Sequence, residues 1–70
     1  MTIEQQAEAI VGKYMQGQPQ LLKQYLDASE HYAIICAITE VEACIVIYKQ
    51  LRYRKAFEHY QQILSHLKQM

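Results

Sequence analysis

Hydrophobic residues recur at helical spacing from the start of this sequence. The first stretch places apolar side chains on one face of a helix, at Ile3, Ala7, Ile10 and Tyr14. Thr2, followed three residues later by Gln5, fits a capping box, which predicts that this helix begins at Ile3. Gly17 and Pro19 are strong punctuating residues, and they predict the end of this helix and the start of the next.

A second, short helix is predicted just after this turn. Its apolar stripe consists of Leu21, Leu22, Tyr25 and Leu26. Asp27, Ser29 and Glu30 follow, and these are residue types that cap helix starts. We therefore expect one of them to cap a third helix.

The segment from Tyr32 to Leu51 is the most apolar part of the chain and is rich in β-branched residues. It is too long for one strand, and it lacks the Gly, Pro, Asn or Asp of a hairpin turn, so a helix is predicted. Its main apolar stripe consists of Ile34, Ala37, Ile38, Val41, Cys44, Ile45, Tyr48 and Leu51. Cys36, Val46 and Ile47 fall outside that stripe. Apolar residues around much of the circumference are typical of a central or interface helix.

A fourth helical pattern begins at Tyr53. Its stripe consists of Tyr53, Phe57, Tyr60, Leu64 and Leu67. No Gly or Pro separates it from the preceding helix, so the sequence allows one rod of about 40 residues or a break near residues 50–53. Helices above about 25 residues usually belong to coiled coils, which favours the break. The predicted fold is all-α, with three or four helices forming a hairpin or bundle in a single domain over residues 1–70.

Composition narrows the class of protein. A hydrophobic fraction of 51% with zero formal net charge excludes a disordered chain and argues against a generally basic nucleic-acid binder. Two cysteines cannot build a disulfide framework, and the chain opens with polar and acidic residues, so no signal peptide and a reducing cytoplasm are expected. A single core in a chain of 70 residues rarely supplies more than about 3–5 kcal/mol. Association is therefore an expected source of stability.

Residues 48–64 resemble part of a tetratricopeptide repeat. Tyr14 and Tyr48 are 34 residues apart, which is the period of that repeat, and several neighbouring positions match at the same offset. In this resemblance Tyr48 closes the first helix of a repeat, and Ala56 is the small residue where the two helices cross. Leu51 departs from the family pattern, which favours Gly in the turn. The resemblance implies two stacked helical hairpins with open apolar faces.

An apolar helix that its own domain cannot cover predicts a partner. We expect a homodimer or a complex with a larger protein, and a function as a small non-catalytic interaction or regulatory module. Tyrosine, of which the chain has six, suits an interface because it combines a large contact area with a polar tip. The predicted contact residues are Ile34, Ile38, Val41, Ile45, Tyr48, Tyr53, Phe57, Tyr60 and Leu64.

Charge is divided unevenly along the chain. Residues 1–48 carry a net charge of −4, and residues 49–70 carry a net charge of +4. The basic residues Lys49, Arg52, Arg54 and Lys55 surround Tyr53, and this mixture supports an alternative function as a small regulator that binds an anion or nucleic acid. Four charges make a small footprint for a nucleic-acid binder. A solvated helix end, or pairing with the acidic half of a second subunit, is the favoured interpretation.

Two carboxylates, Glu40 and Glu42, lie within the most apolar segment. They interrupt it, so no membrane span is expected. Roughly 200° around a helix separates them, so they cannot both face the same core. At least one is therefore expected to reach solvent or a basic residue, and pairing with Arg52, Arg54 or Lys55 across an interface is the favoured interpretation.

The remaining polar residues predict neither catalysis nor a metal or cofactor site. His59 and His66 are seven residues apart, and Cys36 and Cys44 are eight apart. Neither spacing is typical of metal ligands. The sequence also contains no Gly-rich phosphate loop and no nucleophile motif, so an enzyme is not expected.

Overall fold

The computed structural model of the chain describes residues 1–18 and 24–70. Helix α1 spans Ile3–Gln16, α2 spans Leu26–Gln50 and α3 spans Arg54–Gln69. Each helix packs against the other two, and the described residues contain no strand. The prediction of an all-α bundle is confirmed, with three helices in the described part of the chain.

The ends of α1 are fixed as the sequence predicts. The Gln5 backbone N–H donates to Thr2 Oγ1 at 3.1 Å, and the Thr2 backbone N–H donates to Gln5 Oε1 at 3.0 Å. This capping box provides partners for two backbone donors that a helix N-terminus otherwise leaves unpaired. At the other end, the Gly17 backbone N–H donates to the Lys13 carbonyl at 3.3 Å. The predicted start and end of this helix are therefore both confirmed.

Helix α2 begins earlier than the predicted third helix. It starts at Leu26, with Tyr25 as its N-cap, and no side chain caps it. The prediction that Asp27, Ser29 or Glu30 is the cap is wrong, because all three lie inside the first turns of the helix. Asp27 there still interacts favourably with the positive end of the helix dipole.

The predicted second, short helix is not a separate element in the described residues. Tyr25 and Leu26, two of its four apolar positions, belong to the start of α2. The other two, Leu21 and Leu22, lie outside the described residues. In the described residues, the longest helix begins at Leu26.

A tight turn separates α2 from α3. Arg52 adopts a φ of 61°, in the left-handed region that non-glycine residues rarely occupy. Its backbone N–H donates to the Lys49 carbonyl at 3.2 Å, and the Tyr53 N–H donates to the Tyr48 carbonyl at 3.0 Å. These two bonds form a Schellman motif, a common way for a helix to end. The predicted break near residues 50–53 is confirmed, and it forms without a glycine.

The hydrophobic core is small. Its fully buried apolar members in the described residues are Ala7, Ala33, Ala37, Val41, Ile63 and Leu67. On α2 the buried residues recur every four positions, so one narrow stripe of this helix faces α1 and α3. Three of the six side chains are alanines, which bury little apolar area and therefore contribute little to stability.

Most of the predicted contact residues lie on this inner side of the bundle. Val41 is buried and Tyr53 is exposed. The half-buried members are Ile34, Ile38, Ile45, Tyr48, Phe57, Tyr60 and Leu64. The main stripe identified in the sequence is thus the one that α2 uses to pack within its own chain. The surface available to a partner lies elsewhere on the helix.

Candidate interaction surface

Helix α2 carries a second apolar strip on the side opposite its buried stripe. We define the outward face as Tyr32, Ile35, Thr39, Ala43, Val46 and Ile47, all of which are exposed. Tyr32, Ile35, Val46 and Ile47 are 50%, 49%, 54% and 52% exposed, respectively. Successive members are mostly three or four residues apart, so they form one continuous strip. Sequence analysis noted Val46 and Ile47 but did not place them in the contact set.

A shallow groove of about 430 Å³ borders this strip. Ile35, Cys36, Ala43 and Ile47 line it from α2, and Tyr14 lines it from α1. Apolar grooves of this kind accept the apolar face of a helix. The groove extends the outward face towards α1.

Glu40 lies at the edge of the groove and links α2 to α1. Its carboxylate forms an ion pair with Lys13 and accepts a hydrogen bond from the Tyr14 hydroxyl at 3.0 Å. The hydrogen bond from Lys13 is the main reason that the pKa of Glu40 is lower than its usual value, and it also raises the pKa of Lys13. Glu40 therefore has a basic partner, Lys13, within its own chain. Glu42 is exposed, as expected for at least one of the two carboxylates.

The four basic residues predicted to contact anions come together at the turn between α2 and α3. Lys49, Arg52, Arg54 and Lys55 are all exposed there. Arg54 Nε donates to Glu58 Oε1 at 3.0 Å, while no carboxylate of the described residues lies within 4 Å of the other three. A cleft of about 330 Å³ at this turn is lined by Tyr48, Lys49, Arg52, Arg54 and Phe57.

Aromatic side chains support this turn from inside. Tyr48 stacks on Tyr60 with ring centroids 5.4 Å apart, and Tyr53 lies 6.3 Å from Tyr48. Burial raises the pKa of Tyr60, and the neighbouring Tyr48 adds to this shift. Two of the predicted contact tyrosines are therefore engaged within the chain, whereas Tyr53 is exposed beside the basic residues.

A buried polar pair that the sequence analysis missed joins the end of α1 to α2. Gln18 is 7% exposed and Ser29 is 1% exposed. Gln18 Nε2 donates to the Ser29 carbonyl at 2.7 Å, and the Ser29 hydroxyl donates to Gln18 Oε1. No sequence pattern links the two residues, because Gln18 follows α1 and Ser29 is a candidate helix cap in the sequence. The pair fixes where the start of α2 sits against α1.

His59 and the two cysteines are each half-buried. His59 is half-buried, and its Nε2 donates to Gln6 Oε1, which links α3 to α1. Cys36 and Cys44 are both free and half-buried. Within residues 1–18 and 24–70, no three His, Cys, Asp or Glu side chains are grouped so that they could hold a metal ion.

The molecule exposes more surface than a compact monomer of its mass. Its accessible surface is 5230 Å², against about 4,500 Å² for a typical monomer of 8.2 kDa. Its radius of gyration is 13.0 Å, against about 11 Å for a compact chain of this length. The chain is therefore elongated, with principal extents of 42 × 21 × 17 Å.

By length and composition, α2 is the one helix in the described residues that could cross a bilayer. The mean hydropathy of its most apolar window is 1.5, and 17% of that window is buried. Core helices of soluble proteins and signal sequences meet the same criterion. Length and composition alone therefore do not assign α2 to a membrane.

The chain thus has two candidate binding surfaces, the outward face of α2 and the basic cleft at the α2–α3 turn. They differ in chemistry, since the first is apolar and the second is cationic and aromatic. No protein-family model, curated protein or solved structure gives a significant match to this chain.

Proposed function

We propose that this protein is a small, non-catalytic helical module that works by protein–protein contact, through self-association or through docking to a larger protein. The observation that carries this proposal is the outward face of α2, where four large apolar or aromatic side chains are about half exposed. Soluble monomers rarely expose contiguous apolar patches larger than a few hundred Å². Covering the face would stabilise the chain by roughly 25 cal/mol for each Å² of apolar surface removed from water.

The small core supports the same proposal. Two of the four buried residues of α2 are alanines and a third is a serine, so this stripe gains little from its packing. A partner on the opposite side of α2 would supply apolar contacts that one copy lacks. The resemblance of residues 48–64 to a tetratricopeptide repeat is in keeping with this class of function, and we place the module in the cytoplasm.

Val46→Asp tests the proposal. This substitution adds a charge at the exposed outward face without altering the buried stripe. Gln62→Asp, at an exposed position of α3, is the matched control because it adds the same side chain away from the face. We expect Val46→Asp to lose self-association by light scattering, or to lose capture of a partner from the native host, while the control behaves like the wild type.

Circular dichroism distinguishes loss of binding from loss of fold. Both variants should keep the helical signal of the wild type, since neither position is buried. A folded Val46→Asp chain that forms the same complexes as the wild type would contradict the proposal.

The basic cleft favours a second function, which is binding of an anion or a nucleic acid. Its lining combines Lys49, Arg52 and Arg54 with two aromatic rings, a combination that holds phosphates and stacked bases. Fluorescence anisotropy with a single-stranded oligonucleotide tests it. Binding that weakens steeply with added salt and disappears in Arg52→Glu/Arg54→Glu would support this function. The absence of binding at low salt would remove it.

A further inference from the structure

The basic cleft at the turn between α2 and α3 is small, and three cations and two aromatic rings line it. We propose that it binds one small organic phosphate, in which a single phosphate group is attached to a planar ring. Lys49, Arg52 and Arg54 hold the phosphate, and Tyr48 and Phe57 contact the ring. This inference rests on the second proposed function, the binding of an anion, and it specifies the ligand.

The charge of the basic cleft matches a phosphate group better than a carboxylate. Three cationic side chains surround about 330 Å³, and Lys55 is exposed on the same turn. Glu58 is the one carboxylate in residues 49–58, and it is not part of the lining. A phosphate monoester carries a charge of about −1.5 to −2 at pH 7 and has three strong acceptor oxygens. One phosphate can therefore contact all three cations, whereas a carboxylate offers a single charge on two oxygens.

The start of α3 strengthens the attraction for an anion. Helix starts usually carry acidic residues, which interact favourably with the positive end of the helix dipole. The first turn of α3 has no acidic residue and no side-chain cap, and it opens with Arg54 and Lys55. A second shallow hollow, of about 420 Å³, lies at this helix start and shares Arg52 and Arg54 with the basic cleft. A phosphate held by these two arginines therefore lies beside the positive end of α3.

The aromatic rings and the size of the basic cleft indicate the rest of the ligand. Tyr48 and Phe57 are half-buried and form the part of the lining that is not cationic. Small-molecule sites have volumes of about 300–1,000 Å³, so this cleft is at the lower end of that range. Sites for single-stranded nucleic acid stack successive bases on rings along a groove. Here Tyr48 already stacks on Tyr60 within the chain, so the lining offers a surface for one ring and not for a strand.

Calorimetric titration with four compounds tests the class of ligand. Inorganic phosphate supplies the phosphate alone, adenosine supplies a ring without phosphate, and adenosine 5′-monophosphate and phenyl phosphate combine the two. We expect at least one combined compound to bind about fivefold or more tighter than inorganic phosphate, because stacking of a base on an aromatic ring contributes at least that factor. We expect no measurable binding of adenosine.

The tighter of the two combined compounds shows whether the ring is a nucleobase or a phenol. Inorganic phosphate that binds as tightly as both of them would overturn the contact with the ring. Adenosine that binds as tightly as its monophosphate would overturn the role of the phosphate.

Removing two cations tests the location of the site. Lys49→Gln/Arg52→Asn should weaken the binding of the organic phosphate by about tenfold or more. Asparagine is chosen because it tolerates the left-handed conformation of residue 52. Lys68→Gln, which removes an exposed cation near the other end of α3, is the matched control and should bind like the wild type. A double variant that keeps the helical signal by circular dichroism and binds with undiminished affinity would overturn the inference.

Glu58→Gln should change the affinity in the opposite direction. Arg54 Nε donates to Glu58 Oε1 at 3.0 Å, so this carboxylate competes with the ligand for the guanidinium group. We expect the variant to bind the organic phosphate about two- to fivefold tighter, the factor that corresponds to an exposed ion pair. A purely structural role of the basic turn predicts no such gain. Unchanged or weaker binding would overturn the contact between Arg54 and the phosphate.

The inference and the second proposed function fail in different ways. A single-stranded oligonucleotide that binds with steep salt dependence, and that neither organic phosphate displaces, would overturn the inference and leave that function standing. No binding of the oligonucleotide or of any phosphate compound at low salt would remove both. Val46→Asp lies on the outward face and should bind organic phosphate like the wild type, so these measurements are independent of the protein–protein contact.

Discussion

The buried pair of Gln18 and Ser29 gives a sharp test of how α1 and α2 are held together. Replacing Gln18 by Leu keeps a side chain of similar size but removes both hydrogen bonds of the pair. The Ser29 hydroxyl, in a residue only 1% exposed, then keeps only a weak contact with Met15 Sδ at 3.7 Å. The perturbation therefore leaves a buried polar group almost without a partner.

The expected cost follows from this burial. Leaving a buried donor unpaired costs about 1–3 kcal/mol, whereas removing both members of a pair is often close to neutral. Gln18→Leu should therefore destabilise the chain by about 1–2 kcal/mol, and Gln18→Leu/Ser29→Ala should recover most of that loss. For a domain of this size, 1 kcal/mol corresponds to roughly 4–8 °C in the midpoint of thermal unfolding.

The coupling between Gln18 and Ser29 is measured by urea unfolding of four proteins. These are the wild type, Gln18→Leu, Ser29→Ala and the double variant. All four proteins must be compared at one protein concentration, because association adds to apparent stability. We expect a coupling energy of about 1 kcal/mol or more. Additive effects, with no coupling, would refute the assignment of this pair as a buried mutual contact.

Three further predictions concern other parts of the fold. Arg52→Gly should stabilise the chain by about 0.5–1 kcal/mol in urea unfolding, because glycine adopts the left-handed conformation at this position without strain, whereas Arg52→Ala should give no gain. Glu40→Gln should lower the thermal midpoint at pH 7. The folded state lowers the pKa of Glu40, so the stabilisation that its ionised carboxylate provides is fully present above the ordinary glutamate pKa. This stabilisation is lost as the pH falls through the lower pKa of the folded state. The difference in thermal midpoint between the variant and the wild type should therefore disappear in acid. Leu67→Ala should cost about 2–5 kcal/mol, enough to unfold much of the chain by circular dichroism, because Leu67 is among the largest fully buried side chains.

The local signals in the sequence predict the helix ends where a side chain or glycine makes the cap. Thr2 and Gln5 form the expected capping box, and Gly17 ends α1. The start of α2 was missed because Leu26 begins the helix without any side-chain cap. The turn at Arg52 could be placed only approximately, since its left-handed conformation is one that sequence patterns associate with glycine.

The two faces of α2 could not be ranked from the sequence. Both are apolar, so helical periodicity identifies each without saying which one packs inward. Ala33, Ala37 and Val41 determine the outcome, because small side chains let α1 and α3 approach closely along that stripe. Tyr32 and Ile35 are left on the outside, although neither belonged to the predicted contact set.

Contacts between distant parts of the chain were also beyond sequence patterns. The basic partner of Glu40 is Lys13, which lies 27 residues away, and nothing in the local spacing of either residue connects them. The clustering of the basic residues from Lys49 to Lys55 was predictable, because they are adjacent in the chain and flank one helix end.

An isotope-filtered nuclear Overhauser spectrum of a mixture of labelled and unlabelled chains tests the central claim most directly. The claim is that the outward face of α2 is the contact surface between two copies. It predicts intermolecular contacts from the Val46 methyl groups to side chains of the other copy, and none from the buried Leu67 methyl groups. Intermolecular contacts confined to another surface, or none at concentrations where the protein sediments as a dimer, would contradict the claim.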